Sequence, residues 1–479
     1  MPSFGALIAV PAMNTVIILV SLAFLMFVAY RGYSVILFAP LAALGAVLAT
    51  DPGLVAPVFS GLFMEKTAGF IKNFFPIFLL GAIFGKTMEL SGFAKSIGGG
   101  IIHLFGPRQA IPAVVAVCAA LTYGGVSLFV VVFAAYPFAA EIFRQGNIPK
   151  RLIPGALALG SLTFTMDALP GTPQIQNIIP TAFFKTDIYA APVLGVTGGV
   201  FILVTGLAYL EWRRRRAVHA GEGYACAAVP VNEPEPVTEG KLPHPVMAML
   251  PLLMVGVVNK VLTGAIPAFY GTAHSFVPSH FGKAGPVVQE IAKMNATWAV
   301  EGALIAGIVT VFVFAGRRVA GRFVEGSKAA VAGALLASMN TASEYGFGAV
   351  IAYLPGFLAV AEVLKHIPNP LVNEAITVTS LAGITGSASG GLGIALAAMS
   401  DTFITAANTA GIPMEVMHRV AVMASGGMDT LPHNGAVITI LAVTGLTHRQ
   451  AYVDIFAVTI IKTVAVFVVI ATYYLTGWV

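Results

Sequence analysis

Residues 165 to 177 read TMDALPGTPQIQN, and residues 427 to 439 read GMDTLPHNGAVIT. The two stretches lie 262 residues apart and share Met, Asp, a small residue, Leu and Pro in the same order. Each breaks a long apolar run with an acidic, proline-containing knot. Backbone that leaves a helix inside lipid strands N–H and C=O groups at several kcal/mol each, so such a knot persists only when buried in protein or lining a wet cavity.

Composition explains why lipid is the reference solvent. Apolar residues make up 57% of the chain and charged residues 10%, with a mean hydropathy of +0.88. A soluble domain does not solvate such a chain, and the expected class is an all-α polytopic membrane protein. Crossings are expected at 14 to 30, 33 to 50, 73 to 90, 189 to 211, 246 to 264, 297 to 316, 329 to 346 and 452 to 475. The start, MPSFGALIAVPAMNT, lacks the basic flank of a secretory signal and is expected to be the first span. The two cysteines, Cys118 in an apolar segment and Cys226 in a polar one, suggest no disulfide framework. The net charge of +5 comes from basic residues clustered at segment ends, a pattern of membrane orientation and not of nucleic-acid binding. Arg213 to Arg216 place the polar linker 212 to 245 in the cytoplasm, and the expected location is a bacterial inner membrane.

The two knots are the centre of a longer internal echo. ELSGFAKSIG at 89 to 98 resembles SEYGFGAVIA at 343 to 352, and LTYGGVS at 121 to 127 resembles ITGSASGG at 384 to 391. With an odd number of crossings between them, the copies are expected to insert in opposite orientation, an arrangement shared by many transporters. The expected divisions are N-terminal helices at 1–72, a first copy at 73–188, connecting helices at 189–328, an inverted copy at 329–446 and a last helix at 447–479. The competing reading is chance likeness between apolar segments rich in Gly, Ala and Ile.

In the first copy, Leu152 to Phe164 can form a helix, Pro170 and Pro173 stop it, Gly171 permits a turn, and Ile175 to Phe184 resume it. In the second, Pro432 and Gly435 are expected to do the same. Half-helices present N–H groups and partial positive charge to the gap, which suits a carboxylate. The segment before each knot reads as a re-entrant hairpin with a tip of small and hydroxyl residues. Candidate substrate ligands are Thr122, Gly124, Gly125 and Ser127 at the first tip and Gly171, Thr172, Gln174 and Asn177 in the first knot. Their counterparts are Ser387, Ser389 and Gly390 at the second tip and His433 and Asn434 in the second knot. Tight helix packing is the alternative for small tip residues, and it is the preferred reading for Gly195 and Gly199.

An ionised carboxylate at the centre of a spanning helix costs at least about 2.5 to 3.5 kcal/mol, so Asp167, Asp429 and Glu344 are candidate coupling groups, together with His433. Helix capping is the alternative for the two aspartates. Neither knot contains Arg or Lys, so an anion beside these acids calls for protonation or a bound cation. Glu141, Lys150 and Arg151 read as a solvated helix end. No cofactor is expected beyond a coupling ion, a proton or a sodium ion, and no structural metal.

The order of features resembles the gluconate permease (GntP) family of the ion transporter superfamily. GLFMEKTAGFIKNFFPIFLLGAIFGKTMELSGFAKSIGGGI at 61 to 101, GNIPKRLIPGALALGSLTFTMDALPGTP at 146 to 173, GSASGGLG at 386 to 393 and GIPMEVMHRVAVMASGGMDTLPHNGAVI at 411 to 438 carry the resemblance. It implies secondary transport of small organic anions, usually with protons. It also implies a homodimer built on a scaffold domain, with a transport domain moving as an elevator. Gluconate-type knots are richer in His and polar groups than MDALPGTP and MDTLPHNG, which points to a smaller, less hydroxylated acid such as a short-chain hydroxy- or ketoacid. Sodium coupling, an anion channel and a membrane enzyme are the alternatives. The last is disfavoured by scattered histidines and by the absence of a nucleophile motif or phosphate loop.

Overall fold

A computed structural model of the chain describes residues 4–94, 96–97, 100, 109–123, 128–172, 174–224, 242–271, 273–276, 287–364 and 367–479. The order begins with α1 (Phe4–Tyr30), α2 (Val35–Thr50), α3 (Met64–Leu90), α4 (Ala110–Tyr123) and α5 (Leu128–Gln145). It continues with α6 (Ile153–Ser161), α7 (Ile175–Phe184), α8 (Pro192–His219) and α9 (Pro245–Tyr270). After α10 (Ile291–Ala320), α11 (Phe323–Tyr353) and α12 (Pro355–Leu364) come α13 (Pro370–Thr385), α14 (Ala388–Ala410), α15 (Met414–Ser425), α16 (Gly435–Thr444) and α17 (His448–Thr476). The all-α expectation needs one amendment, because strands Ala273–Phe276 and Val287–Glu290 pair antiparallel between α9 and α10.

Among the described residues, seven helices are long and apolar enough to cross a membrane: Met13–Tyr30, Pro52–Leu90, Pro192–His219, Pro245–Tyr270, Thr297–Ala320, Ala388–Ala410 and His448–Thr476. The chain is therefore a multi-pass membrane protein. The span expected at 33 to 50 is the 16-residue α2, shorter than these seven, and Ala388–Ala410, expected as one arm of a re-entrant hairpin, is long enough to cross. The span expected at 329 to 346 is part of the 31-residue α11 and is not among the seven. That helix buries Ser338, Asn340, Thr341, Ser343 and Glu344, which suits an interior position better than a lipid-facing one.

Helix α11 lies along α3, and α10 packs on both α3 and α9. The remaining helices interlock. Helices α4 and α5 pair with each other and with α6, while α13 and α14 pair with each other and with α15. Helix α7 packs on α14 and α15; α16 packs on α5 and α6; α6 meets α17, α15 meets α8, and α8 runs along α17. The pair α13 and α14 is joined by Gly386 in the left-handed region (φ +68°) and by Ser387, whose Oγ accepts from Gly390 N–H at 3.2 Å. Their backbones touch: a methyl on Gly391 would lie 2.3 Å from Ala382 Cα. Gly391→Ala is therefore expected to cost about 1–3 kcal/mol through overpacking, read as a fall in melting temperature in detergent. Gly393→Ala, where a methyl meets nothing within 4 Å, should leave it unchanged.

Both knots interrupt their helix as expected. Helix α6 ends at Ser161, Thr163 leaves helical geometry (φ −131°, ψ −122°), and a π turn at Phe164–Ala168 leads to Gly171 (φ +79°) before α7 begins. In the second, residues 426 to 434 separate α15 from α16. Here the expectation for Gly435 is corrected. It is the first residue of α16 and not the turn, and its lack of a side chain admits Thr341 and Glu344, which a methyl would meet at 2.4 and 3.0 Å.

The backbone groups released by the breaks are satisfied inside the protein, as burial demands. Around the first break, Thr163 Oγ1 donates to Leu159 O (2.6 Å), Thr165 Oγ1 to Gly160 O (2.8 Å) and Thr172 Oγ1 to Thr165 O (2.7 Å). Around the second, Thr379 Oγ1 donates to Ala424 O (2.9 Å), Thr463 Oγ1 to Gly427 O (2.8 Å) and Tyr452 OH to Thr430 O (3.1 Å). His448 Nε2 meets Pro432 O at 2.7 Å. At the first break the knot's own threonine hydroxyls replace the missing helical donors, and at the second the hydroxyls of neighbouring helices do.

Candidate functional site

Three clusters surround the breaks. The first joins the two knots. Asp167, Asp429, Arg419 and Lys462 are all buried, at 1%, 4%, 0% and 1% exposure. Lys462 Nζ, from the middle of α17, donates to Asp429 Oδ1 and to Leu162 O, the latter at 3.1 Å. Asp167 lies within electrostatic reach of Lys462, Asp429 and Arg419, and neither of its oxygens has a hydrogen-bond partner among the described residues. It sits against the backbone just past α15, where a methyl on Gly426 would fall 1.9 Å from Oδ2. Neither aspartate caps a helix. The residue at the N-cap of α7 is Gln174 and that of α16 is Asn434, so the capping alternative fails. The expected repulsion between an anion and uncompensated acids is likewise corrected, because cations distant in sequence are folded against them.

The second cluster lies where the α13–α14 turn meets the second knot. A methyl on Gly386 would lie 2.1 Å from Glu344 Oε1 and 2.9 Å from His433 Nε2, so both groups face the same small space. Glu344 also lies against the start of α16, where a methyl on Gly435 would fall 3.0 Å from its Oε2. Glu344 Oε1 and both ring nitrogens of His433 lack hydrogen-bond partners among the described residues, and the ring packs edge-on to Phe347 at 6.3 Å. Asn434 is committed elsewhere: its Oδ1 accepts from Ala436 N–H (2.7 Å) and Val437 N–H (3.3 Å), and its Nδ2 donates to Gly386 O. The open half-helix end expected here is therefore closed by the protein's own Asn434 and Glu344. Ser387 caps α14, Gly390 donates to it, and Ser389 is half-buried at the same turn.

The third cluster joins α4 to the first knot. Tyr123 OH donates to Pro170 O (2.9 Å), and Gln174 Nε2 donates to Thr122 O (2.7 Å). The Thr122 hydroxyl and Gln176 Oε1 are buried without partners among the described residues. Gln174 provides no side-chain cap for α7, so the open half-helix terminus is the one in the first copy. Gly171 N–H donates to Ile188 O (2.8 Å), and its α-carbon abuts Tyr189. Asn177 is a hub: Nδ2 donates to Thr172 O and Ile188 O, while Oδ1 accepts from Arg419 Nη1 and faces His418 Nε2, both at 3.2 Å. Gly124, Gly125, Ser127, Pro173, Cys226 and most of the polar linker lie outside the described residues.

No family model matches the chain. Over 473 residues, covering 97% of this chain and 100% of its relative, it is 57% identical to the protein of Bacillus subtilis (strain 168) named Uncharacterized transporter YxjC. The chain belongs to the YxjC transporter family. The solved structure of the Alcanivorax borkumensis YdaH transporter covers 97% of this chain and 99% of its own at 12% identity, with a TM-score of 0.35, too low to show a shared fold. Membership of the YxjC family makes the chain a membrane transporter and not an enzyme.

Several residues that build this YxjC-family site escape a reading of the knots alone: Lys462, Arg419, His418 and the hydroxyls of Thr379 and Thr463. A signal for one of them was present, since Lys462 stands in the middle of the apolar run TIIKTVAV, where an unpaired charge costs at least about 2.5 to 3.5 kcal/mol. The reading of Glu141, Lys150 and Arg151 as a solvated end is corrected too. Glu141 and Lys150 are buried, Glu141 pairs with Arg144 (2.7 Å), and Lys150 Nζ lies 5.7 Å from the centre of the Tyr136 ring. Arg151 bonds Glu222 (2.7 Å) and reaches Asp454 (3.5 Å). Gly195 and Gly199 make room for the first knot, against Ala168 O and Leu169, in keeping with packing.

Proposed function

We propose that this transporter carries a small organic anion by proton symport, through an elevator movement of two inverted copies in the bacterial cell membrane. The observation that carries the reading is that Thr122, Asp167, Gln176, Glu344 and His433, at the breaks and turns, bury polar atoms without a hydrogen-bond partner among the described residues. Each such group left unpaired costs about 1–3 kcal/mol, and a ligand that pairs with them offsets that cost.

Support for inversion comes from reciprocal packing. What α7 does to α14 and α15, α16 does to α5 and α6. Arg213 Nε reaches Asp454 at 2.6 Å, and Val193 N–H reaches Val479 O at 3.3 Å, so α8 and α17 run antiparallel. Arg151, just before α6, reaches the same Asp454 near the start of α17. The first broken helix therefore leaves the side that the second approaches, and the two access states acquire similar energies. The carboxylate binds at the uncapped start of α7 beside Thr122, Gln174 and Gln176, where partial positive charge is available. Glu344 and His433 exchange the proton. Both knots carry fewer His and polar groups than gluconate-type knots, which favours a short-chain hydroxy- or ketoacid over gluconate. The resemblance to gluconate permeases and the homodimer it implies belong to the same reading.

Proteoliposomes test it directly. Uptake of labelled hydroxybutyrate or lactate should exceed that of gluconate and rise with an inward proton gradient. Uptake indifferent to the gradient for every acid would refute symport, and absence of uptake for all of them would refute the substrate class.

A further inference from the structure

We infer that the ammonium of Lys462 is a tethered cation filling an oxygen-lined site of the kind that otherwise holds an alkali ion, so that this transporter needs no sodium at its core. The donors around the amine are hard oxygens contributed by both breaks. Leu162 O is a carbonyl at the end of α6, where the helix stops and Met166 N–H turns to Thr163 O. Asp429 Oδ1 comes from the second break, and Asp167, whose oxygens have no hydrogen-bond partner among the described residues, lies within electrostatic reach of the same amine. Unwound carbonyls plus carboxylates are the donor set by which interrupted membrane helices coordinate small cations. Here the centre is supplied by α17, and the amine is buried at 1% exposure.

The arrangement is one-sided. With the 262-residue spacing of the knots, the positions matching Arg419 and Lys462 in the first half are Leu157 and Val200. Both cations therefore come from the second half, while each half supplies one aspartate. Arg419 directs four of its five N–H donors to Ala190 O, Ile188 O and Asn177 Oδ1, so of the two cations Lys462 is the one bonded to an aspartate. Removing its amine vacates a position bonded by the Leu162 carbonyl and the Asp429 carboxylate, with Asp167 within electrostatic reach.

This deepens the transport reading above and rests on it, but its test needs no substrate. Thermal unfolding of the purified full-length protein in detergent is measured in NaCl, LiCl, KCl and choline chloride at one pH and one ionic strength. The wild type should unfold at the same temperature in sodium and choline; a saturable stabilisation by sodium would show an open cation site and overturn the inference. Lys462→Ala should unfold several degrees lower in choline and regain most of the loss, saturably, in sodium or lithium. Lys462→Ala combined with Asp429→Asn should lose that response. A Lys462→Ala protein blind to all four salts would also overturn it, and Lys462→Ser, purified in sodium throughout, replaces the alanine variant should the latter fail to accumulate. Stabilisation of the wild type by a carboxylate, recorded separately, reports on the substrate reading alone.

Discussion

Asp429→Asn is expected to lower the stability of the folded protein by about 3–5 kcal/mol, because it leaves the buried Lys462 ammonium without its bonded counter-charge. The penalty arises from the stranded charge and not from the lost bond. Replacing both partners with neutral groups of similar volume, Asp429→Asn with Lys462→Met, should therefore restore most of the loss. Asp167 lies close enough to feel the same ammonium, so adding Asp167→Asn to Asp429→Asn should deepen the defect. Melting temperature and the monodisperse fraction in detergent report all three variants. A double neutral variant as unstable as Asp429→Asn alone would mean that Asp429 holds the second break by some contact other than Lys462.

The second large effect concerns movement and not folding. Glu344→Gln keeps the size of the side chain and its close approach to Gly435, so the start of α16 should remain closed and protein yield should hold. What disappears is the ability to gain and lose a proton beside His433. Proton-driven accumulation should fall by on the order of tenfold or more, the usual scale of a coupling free energy between two ligands. Exchange of labelled for unlabelled acid, which requires no net proton movement, should persist. Loss of exchange and accumulation together, at normal yield, would place Glu344 in the substrate site.

Much of this architecture was legible in the chain because the signals are local. A proline, a glycine and an aspartate inside an apolar run say where a helix stops, whatever it packs on, and α7 occupies the expected Ile175–Phe184. Turn composition likewise located the α13–α14 pair. What could not be read was which distant groups complete each break. Thr379, Tyr452 and Thr463 look like ordinary helix residues until the fold sets them against carbonyls of the second break. Asn177 was chosen for its place in the first knot, yet its partners His418 and Arg419 are 241 and 242 residues away. Gly435 misled for a related reason. Its small size serves the close approach of Thr341 and Glu344 from another helix, a requirement invisible in its own neighbourhood.

The uneven supply of charge in the knot cluster also bears on how the chain can be divided. The stretch before the polar linker contributes Asp167, and the stretch after it contributes Asp429, Arg419 and Lys462. Within this cluster, the first fragment alone would keep an aspartate without its cations, and the second would keep two cations for one aspartate. At this cluster the two fragments are electrostatic complements, so a molecule severed within residues 225 to 241 should reassemble from its two parts in equal amounts.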